Sequence, residues 1–310
     1  MSHDHPCISV LLPIYNGGKY LEDALQSVLG QKDVDLEVLA VNDGSTDDSV
    51  QTLESWAQKD ARLRVLTHQR SQGICVALNY AAANAKAGVL ARMDADDVAY
   101  AGRLKGQLQW LKENPHIVAG GTWVRRIDPQ GRSLGYARSP LSNDAIRDAL
   151  KQGQGTAIVH PTLIIRRAAF EMVGGYDDAF RYIEDLDLYL KLMEIGQLGN
   201  LAAVGLDYRQ HLESANAQRF SVQLSLRQKR LSKVDEGDSS RLPRTQEEPA
   251  RRWARWALQD GERRVGLVYA LLAWWRKAPK ADATRHLWAH LRLLVNSPPL
   301  PAPAVMRESN

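Results

Sequence analysis

The chain has 310 residues, 44% apolar and 25% charged, long enough to bury a sizeable core as one large domain or two smaller ones. Cys7 and Cys75 are its two cysteines and no apolar run reaches the ~20 residues of a spanning helix, which excludes a disulfide framework and a transmembrane segment; Met-Ser-His-Asp-His-Pro lacks the marks of a signal peptide, so the cytoplasm is the expected compartment. The net charge of +4 is uneven: from Arg251 onward eleven Lys/Arg face four Asp/Glu, +7, leaving −3 for residues 1–250, and without a helix-turn-helix, zinc or RNA-binding signature no nucleic-acid partner is expected.

Ile8-Ser-Val-Leu-Leu-Pro13 is a short apolar run ended by proline, as in a buried parallel strand. Leu21, Ala24, Leu25, Val28 and Leu29 repeat at helical spacing, and Gly30 stops the helix. Leu36–Val41 is a second strand. Ser45 and Asp48 have the spacing of a capping pair for a helix through Val50, Leu53 and Trp56. Leu63–Leu66, Val76–Ala85 and Val89–Met93 read as strand, helix and strand. This alternation predicts an α/β protein with a mostly parallel, doubly wound sheet.

In such sheets ligands bind beyond the carboxyl ends of the strands. Pro13-Ile-Tyr-Asn16, Asn42-Asp-Gly44 and Asp94-Ala-Asp-Asp97 all fall on that edge. Three carboxylates within four residues repel one another. At ~5 Å and an effective dielectric near 20 each pair costs roughly 3 kcal/mol, so the cluster calls for a cation or for donors such as Arg92. Neither Gly-x-Gly-x-x-Gly nor a phosphate-loop motif is present, so a divalent metal on Asp94 and Asp96, Mn²⁺ or Mg²⁺, is the expected handle for any diphosphate.

Six or seven motifs in order now make the chain resemble the inverting family 2 glycosyltransferases: Val10–Asn16, Val41–Asp47, Arg92–Asp97, His160-Pro161, Gly174-Gly-Tyr-Asp177, Glu184-Asp-Leu-Asp-Leu188 and Tyr208-Arg-Gln-His211. The resemblance covers about residues 7–215 and implies the GT-A nucleotide-diphospho-sugar transferase fold. It implies a nucleotide pocket lined by Pro13, Tyr15 and Asp43, with Tyr15 stacked on the base and Asp43 accepting a base N–H. The family more often has Asp-Asp-Gly-Ser where this chain has Asn42-Asp43, and Asp43 is the retained position. Asp94 then lies near ribose and metal, Asp96 is the foremost metal ligand, Asp97 either backs the metal ligands or touches the donor sugar, and His211 completes the metal site or meets the diphosphate.

The acceptor half follows. Arg103–Leu111 reads as a helix, Ile117–Ile127 as a strand with a turn at Asp128–Gly131, Asp144–Leu150 as a helix and Thr156–Ile165 as a strand. Gly174-Gly175 permits a tight turn or close approach to a sugar. In Ile183–Met193 the spacing of Leu186, Leu190 and Met193 puts Glu184 and Asp185 in the opening turn of a helix. By the resemblance Asp185 is the general base, with Glu184, Gly175 and His160 on the acceptor side.

The domains expected are a catalytic unit over 1–215, divided into a nucleotide half (about 7–100) and an acceptor half (about 101–215), and a helical, basic, Trp-rich appendix over 216–310. The appendix either packs as helices or contacts an anionic membrane peripherally, with tryptophans at the headgroups. The expected function is transfer of a sugar from a nucleotide-diphosphate donor, UDP-linked, to a hydroxyl of a surface-polysaccharide or lipid-linked glycan. Two rivals stand beside it: a non-catalytic sugar-nucleotide or glycan-binding module, and a sugar nucleotidyltransferase of the same fold class. The latter wants a Gly-rich basic segment after the first strand, where Pro13–Lys19 offers Gly17-Gly18 and one lysine.

Overall fold

A computed structural model describes residues 6–211, 219–243, 247–277 and 303–306. The first half is built as its hydrophobic pattern dictates. β1 (Ile8–Ile14), β2 (Leu36–Asp43), β3 (Leu63–His68) and β4 (Val89–Arg92) lie in the order β3-β2-β1-β4, all parallel. α1 (Leu21–Leu29), α2 (Ser49–Lys59) and α3 (Ile74–Ala83) alternate with them. β1 and β2 are buried almost throughout, which is why both read as continuous apolar runs. The chain runs from β1 to β2 and β3 on one side, then returns to lay β4 on the other side of β1. The switch point therefore lies between the ends of β1 and β4.

Antiparallel pairing enters in the second half. The sheet continues β4-β8-β6-β9-β5, where β5 is Val98–Ala99, β6 Ile117–Ile127, β8 Ile164–Arg166 and β9 Gln197–Arg209, with β7 (Ser133–Ala137) paired to β6. α4 (Arg103–Glu113), α5 (Asn143–Lys151), α6 (Arg167–Met172) and α7 (Glu184–Leu192) complete this half. β6 turns into β7 through Asp128–Gly131 as expected, with the Gly131 N–H on Asp128 O at 2.9 Å and Gly131 at φ +80°.

Two local expectations are corrected. Thr156–Ile165 is not a continuous strand: Gly155–Ala157 and His160–Thr162 are 3-10 turns, and β8 starts only at Ile164. Pro161 has no N–H for a ladder, and Thr162 Oγ1 turns back to donate to Val159 O at 2.7 Å. Nor do Ser45 and Asp48 cap α2, whose preceding residue Asp48 makes no side-chain cap bond. Ser45 Oγ instead accepts from the Asn16 N–H at 3.0 Å and Asp47 from the Gly18 N–H at 3.0 Å, tying the loop after β2 to the loop after β1.

Beyond this half, α8 (Phe220–Leu231) docks on α7 through Arg230 Nε to Asp187 Oδ1 at 2.6 Å. α9 (Pro249–Gln259) and α10 (Arg263–Lys277) form a satellite core with β7, in which Trp253 is fully buried and meets Tyr269 edge to face at 4.9 Å. Met306 N–H and Ala304 O pair with Val204 of β9. Trp253 is thus a core residue, unavailable to a headgroup belt, and Trp256, half-buried, packs under the Arg126 guanidinium at 4.0 Å. The side chains of Trp274 and Trp275, and the whole of Trp288 and Leu291, lie outside the described residues. Among the described residues no helix is long and apolar enough to cross a membrane.

Candidate active site

Each strand that ends at the switch-point edge delivers polar groups there. β1 is followed directly by Tyr15, 57% exposed, close in sequence to half-buried Pro13. β2 ends in Asp43, which is buried and saturated: His68 Nδ1 lies 2.7 Å from Oδ1, while Ser71 Oγ and the Gln72 and Gly73 N–H groups donate at 2.8 to 3.1 Å. Burial pushes the Asp43 carboxyl upward, but the bonds from Gln72, His68, Gly73 and Ser71 outweigh it and hold it below its ordinary value. Four donors fill a carboxylate's acceptor sites, so Asp43 shapes the loop 68–73 that follows β3. His68 was not among the expected site residues. It ends β3 on the same edge, and that placement was the signal available.

β4 ends in the acidic turn. One ligand oxygen from each of Asp94, Asp96 and Asp97 lies within 4.8 Å of the others. Each carboxylate has a different protein partner. Asp94 takes both guanidinium arms of buried Arg92, at 2.8 and 2.5 Å. Asp96 Oδ2 is 2.8 Å from His211 Nε2, and its carbonyl accepts from Arg209 Nε at 2.8 Å. Asp97, fully buried, accepts the Arg209 N–H on Oδ1 at 2.8 Å and leaves Oδ2 without a partner. Burial first, and then the charges of Asp96 and Asp94, push Asp97 well above the carboxylate range; burial and Asp96 likewise raise Asp94 against the pull of Arg92. An orphaned buried carboxylate oxygen inside a cluster of hard oxygen donors fits a divalent cation such as Mg²⁺ or Mn²⁺. Tyr20 roofs this corner, with the Arg209 guanidinium 4.3 Å and the His211 ring 5.5 Å from its ring.

The second acidic pair opens α7. Glu184 and Asp185 stand in its first turn, where the positive end of the helix accommodates negative charge. Asp185 Oδ1 accepts its neighbour Leu186 N–H at 2.7 Å, and Gly155 lies so close that a Cβ there would sit 3.0 Å from Asp185 Oδ2. Glu184 accepts the N–H of Tyr182, a residue held at φ +86°. Burial raises both carboxyls. Glu184 is lifted to about 7, first by burial and then by the Asp185 charge; Asp185 is opposed by its Leu186 bond and by Arg227 and Arg92. Arg92 thus acts on both acidic groups at once.

His160 and Gly175 are both buried and make their contacts with residues other than this pair. His160 Nε2 is 2.8 Å from Tyr176 Oη, and burial followed by the Arg92 charge holds the imidazole neutral. Gly175, at φ +64°, packs against Asn79, which a Cβ would approach to 2.6 Å. Asn79 and Tyr176 exchange bonds at 2.8 and 3.0 Å, so the glycine pair closes a turn onto α3.

Residues 9–174 match the family model of glycosyl transferase family 2. The O-antigen biosynthesis glycosyltransferase WbnJ of Escherichia coli is 30% identical over 211 residues, covering 67% of this chain and 81% of that one. An uncharacterized glycosyltransferase of Haemophilus influenzae is 26% identical over 215 residues, and the chain spans 66% of its length. Among solved structures, S. aureus TarS 1–349 in complex with UDP-GlcNAc superposes with a TM-score of 0.58 at 17% identity, over 93% of this chain and 90% of TarS. The mannosyltransferase PcManGT of Pyrobaculum calidifontis, in complex with GDP-Man and Mn²⁺, gives 0.55 at 17% identity, over 94% and 81%. At these identities the likeness shows the fold, which is GT-A.

Proposed function

This chain belongs to glycosyl transferase family 2, and we propose that it is an inverting, metal-assisted glycosyltransferase that moves a sugar from a UDP-linked donor to a hydroxyl of a surface-polysaccharide or lipid-linked glycan. The observation that carries this reading is the pair of acidic groups, Asp94–Asp97 and Glu184–Asp185, joined electrostatically by buried Arg92, which bonds Asp94 directly and whose charge opposes the upward push of burial on Glu184 and Asp185. A relative named for O-antigen biosynthesis and a fold neighbour bound to UDP-GlcNAc support the glycan and nucleotide classes.

In this reading Tyr15 stacks on the base, Pro13 borders it, and Asp43 frames the base edge through the 68–73 loop. Asp96 and Asp94 would hold the cation with His211, and the unpartnered Oδ2 of buried Asp97 would complete that oxygen cluster or meet the donor sugar. The cation, when bound, offsets charge on the departing diphosphate. Asp185 takes the proton from the acceptor hydroxyl as that oxygen bonds to the anomeric carbon. The carbon–oxygen bond to the diphosphate breaks with its electron pair on UDP, and a single displacement inverts the anomeric centre. Burial raises the basicity of Asp185, which suits it to this task. Glu184, Gly175 and His160 shape the acceptor side.

The outer face of α10 supports a peripheral contact with anionic lipid: Arg263, Arg264, Leu267, Val268 and Leu271 are all exposed there, while Tyr269, Ala270 and Ala273 are buried. Flotation with phosphatidylglycerol vesicles should fall for Leu271→Asp; unchanged flotation sinks that contact. For the enzymatic reading, thermal shifts with UDP- and GDP-sugars are the direct screen, with and without Mn²⁺. A ligand that binds the folded state at 100 times its Kd adds about 2.7 kcal/mol. A UDP-sugar should stabilise the chain only with the metal, and no shift from any nucleotide sugar would sink the proposal.

A further inference from the structure

The loop that Asp43 organises is gripped from its other side. Gln72 and Gly73 donate their N–H groups to the Asp43 carboxylate, and the Gln72 carbonyl accepts from Arg181 Nη2 at 2.6 Å. Arg181 is itself fixed by Asp178, with Nε and Nη2 each 2.8 Å from a carboxylate oxygen. Its guanidinium lies flat against Gly73. That glycine sits at φ +97°, an angle that favours glycine, and a Cβ there would fall 2.4 Å from the guanidinium carbon and displace the arginine. Around this grip the seam between α3 and residues 175–181 is closed by the Asn79–Tyr176 pair and by the Cys75 thiol, whose Sγ lies 3.8 Å from the Asp177 carbonyl; neither contact involves a side chain of the 68–73 loop.

Arg181 stands four positions before Asp185. Between them Tyr182 is held at φ +86° with its N–H on Glu184 Oε2 at 2.7 Å and its carbonyl 3.2 Å from Gln223 Nε2 of α8. A bulky residue at positive φ persists only where its surroundings fix it. A continuous chain of hydrogen bonds and peptide units thus runs from Asp43 through the Gln72–Gly73 peptide unit and Arg181 to the opening turn of α7.

We propose that Arg181 is a positioning residue that couples occupation of the nucleotide pocket to the placement of Asp185. The proposal rests on the nucleotide-pocket reading given above. A nucleotide seated against the 68–73 loop narrows that loop's motion, and the Arg181 grip carries the restriction to residues 177–186, so that the acceptor meets an ordered base only after the donor is bound. The ordering is shared between the two sites, and each ligand lowers the cost of binding the other.

The test is hydrogen exchange of the 177–186 segment in the full chain, with and without saturating UDP and Mn²⁺, GDP serving as a second probe. Nucleotide should slow exchange there by about tenfold in the wild type, within the usual range of site-to-site coupling. Arg181→Met removes the donors and keeps the bulk: it should still bind nucleotide but lose the protection at 177–186. Asp178→Asn, at a half-exposed carboxylate, frees the arginine without touching the core and should lose part of it. Arg181→Lys should restore less than half, since one ammonium cannot serve Asp178 and Gln72 with fork geometry. Full protection in both Arg181→Met and Asp178→Asn overturns the coupling, as does its absence in the wild type with nucleotide bound. Failure of wild-type chain to bind either nucleotide removes the pocket reading and the coupling with it; binding that is lost in Asp43→Asn but kept in Arg181→Met separates the two claims.

Discussion

Arg92 meets both carboxylate oxygens of Asp94, Nη1 at 2.8 Å from Oδ2 and Nη2 at 2.5 Å from Oδ1, from a position only 3% exposed. The pair explains how three carboxylates can share four positions of one turn. The sequence offered a cation or an arginine as alternatives for settling the cluster. The fold uses the arginine on Asp94 and still leaves Asp97 Oδ2 unpartnered. Arg92→Met should therefore destabilise the chain by about 3 kcal/mol or more, because it strands buried negative charge. Urea unfolding checks this; a variant as stable as the wild type would show that the pair contributes nothing.

The Glu184 carboxyl is raised from 4.5 to about 7 by burial and by Asp185. Between these values the folded chain holds a proton that the unfolded chain has released, so this group's contribution to stability falls as pH rises from about 4.5 through about 7. Glu184→Gln keeps the neutral form at every pH. Its melting temperature should match the wild type near pH 4 and exceed it at pH 8, measured by thermal denaturation across that range. A constant difference would place the titration elsewhere.

The acidic turn supplies a metal test that does not depend on the donor sugar. Mn²⁺ titration in the presence of UDP should give saturable binding. Asp96→Ala should weaken it by at least tenfold, and His211→Ala, which removes the group 2.8 Å from Asp96 Oδ2, by less. UDP affinity unchanged in excess chelator would dismiss the metal.

Trp253 is fully buried among Leu134, Ala250, Ala254, Tyr269, Ala270 and Ala273. Trp253→Ala should cost about 3–5 kcal/mol in a cooperative unfolding transition shared with the sheet. A separate early transition for the C-terminal helices would show instead that they fold apart from it.

The first hundred residues were legible because buried parallel strands announce themselves as apolar runs and helices as 3.6-residue spacing; β1, α1 with its Gly30 stop, β2 and β4 all stand where the pattern puts them. The mixed half was harder. β9 carries two glycines, an asparagine and two alanines, so it lacks the run of large branched side chains that marks β1, and β5 is two residues long. Of the site, the strand-end carboxylates and Asp185 could be named from position and family resemblance. What spacing could not show is who holds whom: His68 on Asp43, Arg209 on Asp97 and Arg181 on Gln72 join residues 25 to 112 positions apart. Ser45 and Asp48 mislead for a related reason, since a local capping pattern gives way when a neighbouring loop offers Asn16 and Gly18 N–H groups in need of acceptors.

Asp185 offers the most direct measurement. With a UDP-sugar, Mn²⁺ and a glycan acceptor, the wild type should release UDP and yield a product whose new bond, read by NMR, has the opposite anomeric configuration to the donor. Asp185→Asn should bind UDP normally and turn over 10² to 10⁴ times more slowly, on the order expected for loss of a general base. Retained configuration, or an Asp185→Asn enzyme with ordinary kcat, would contradict the account.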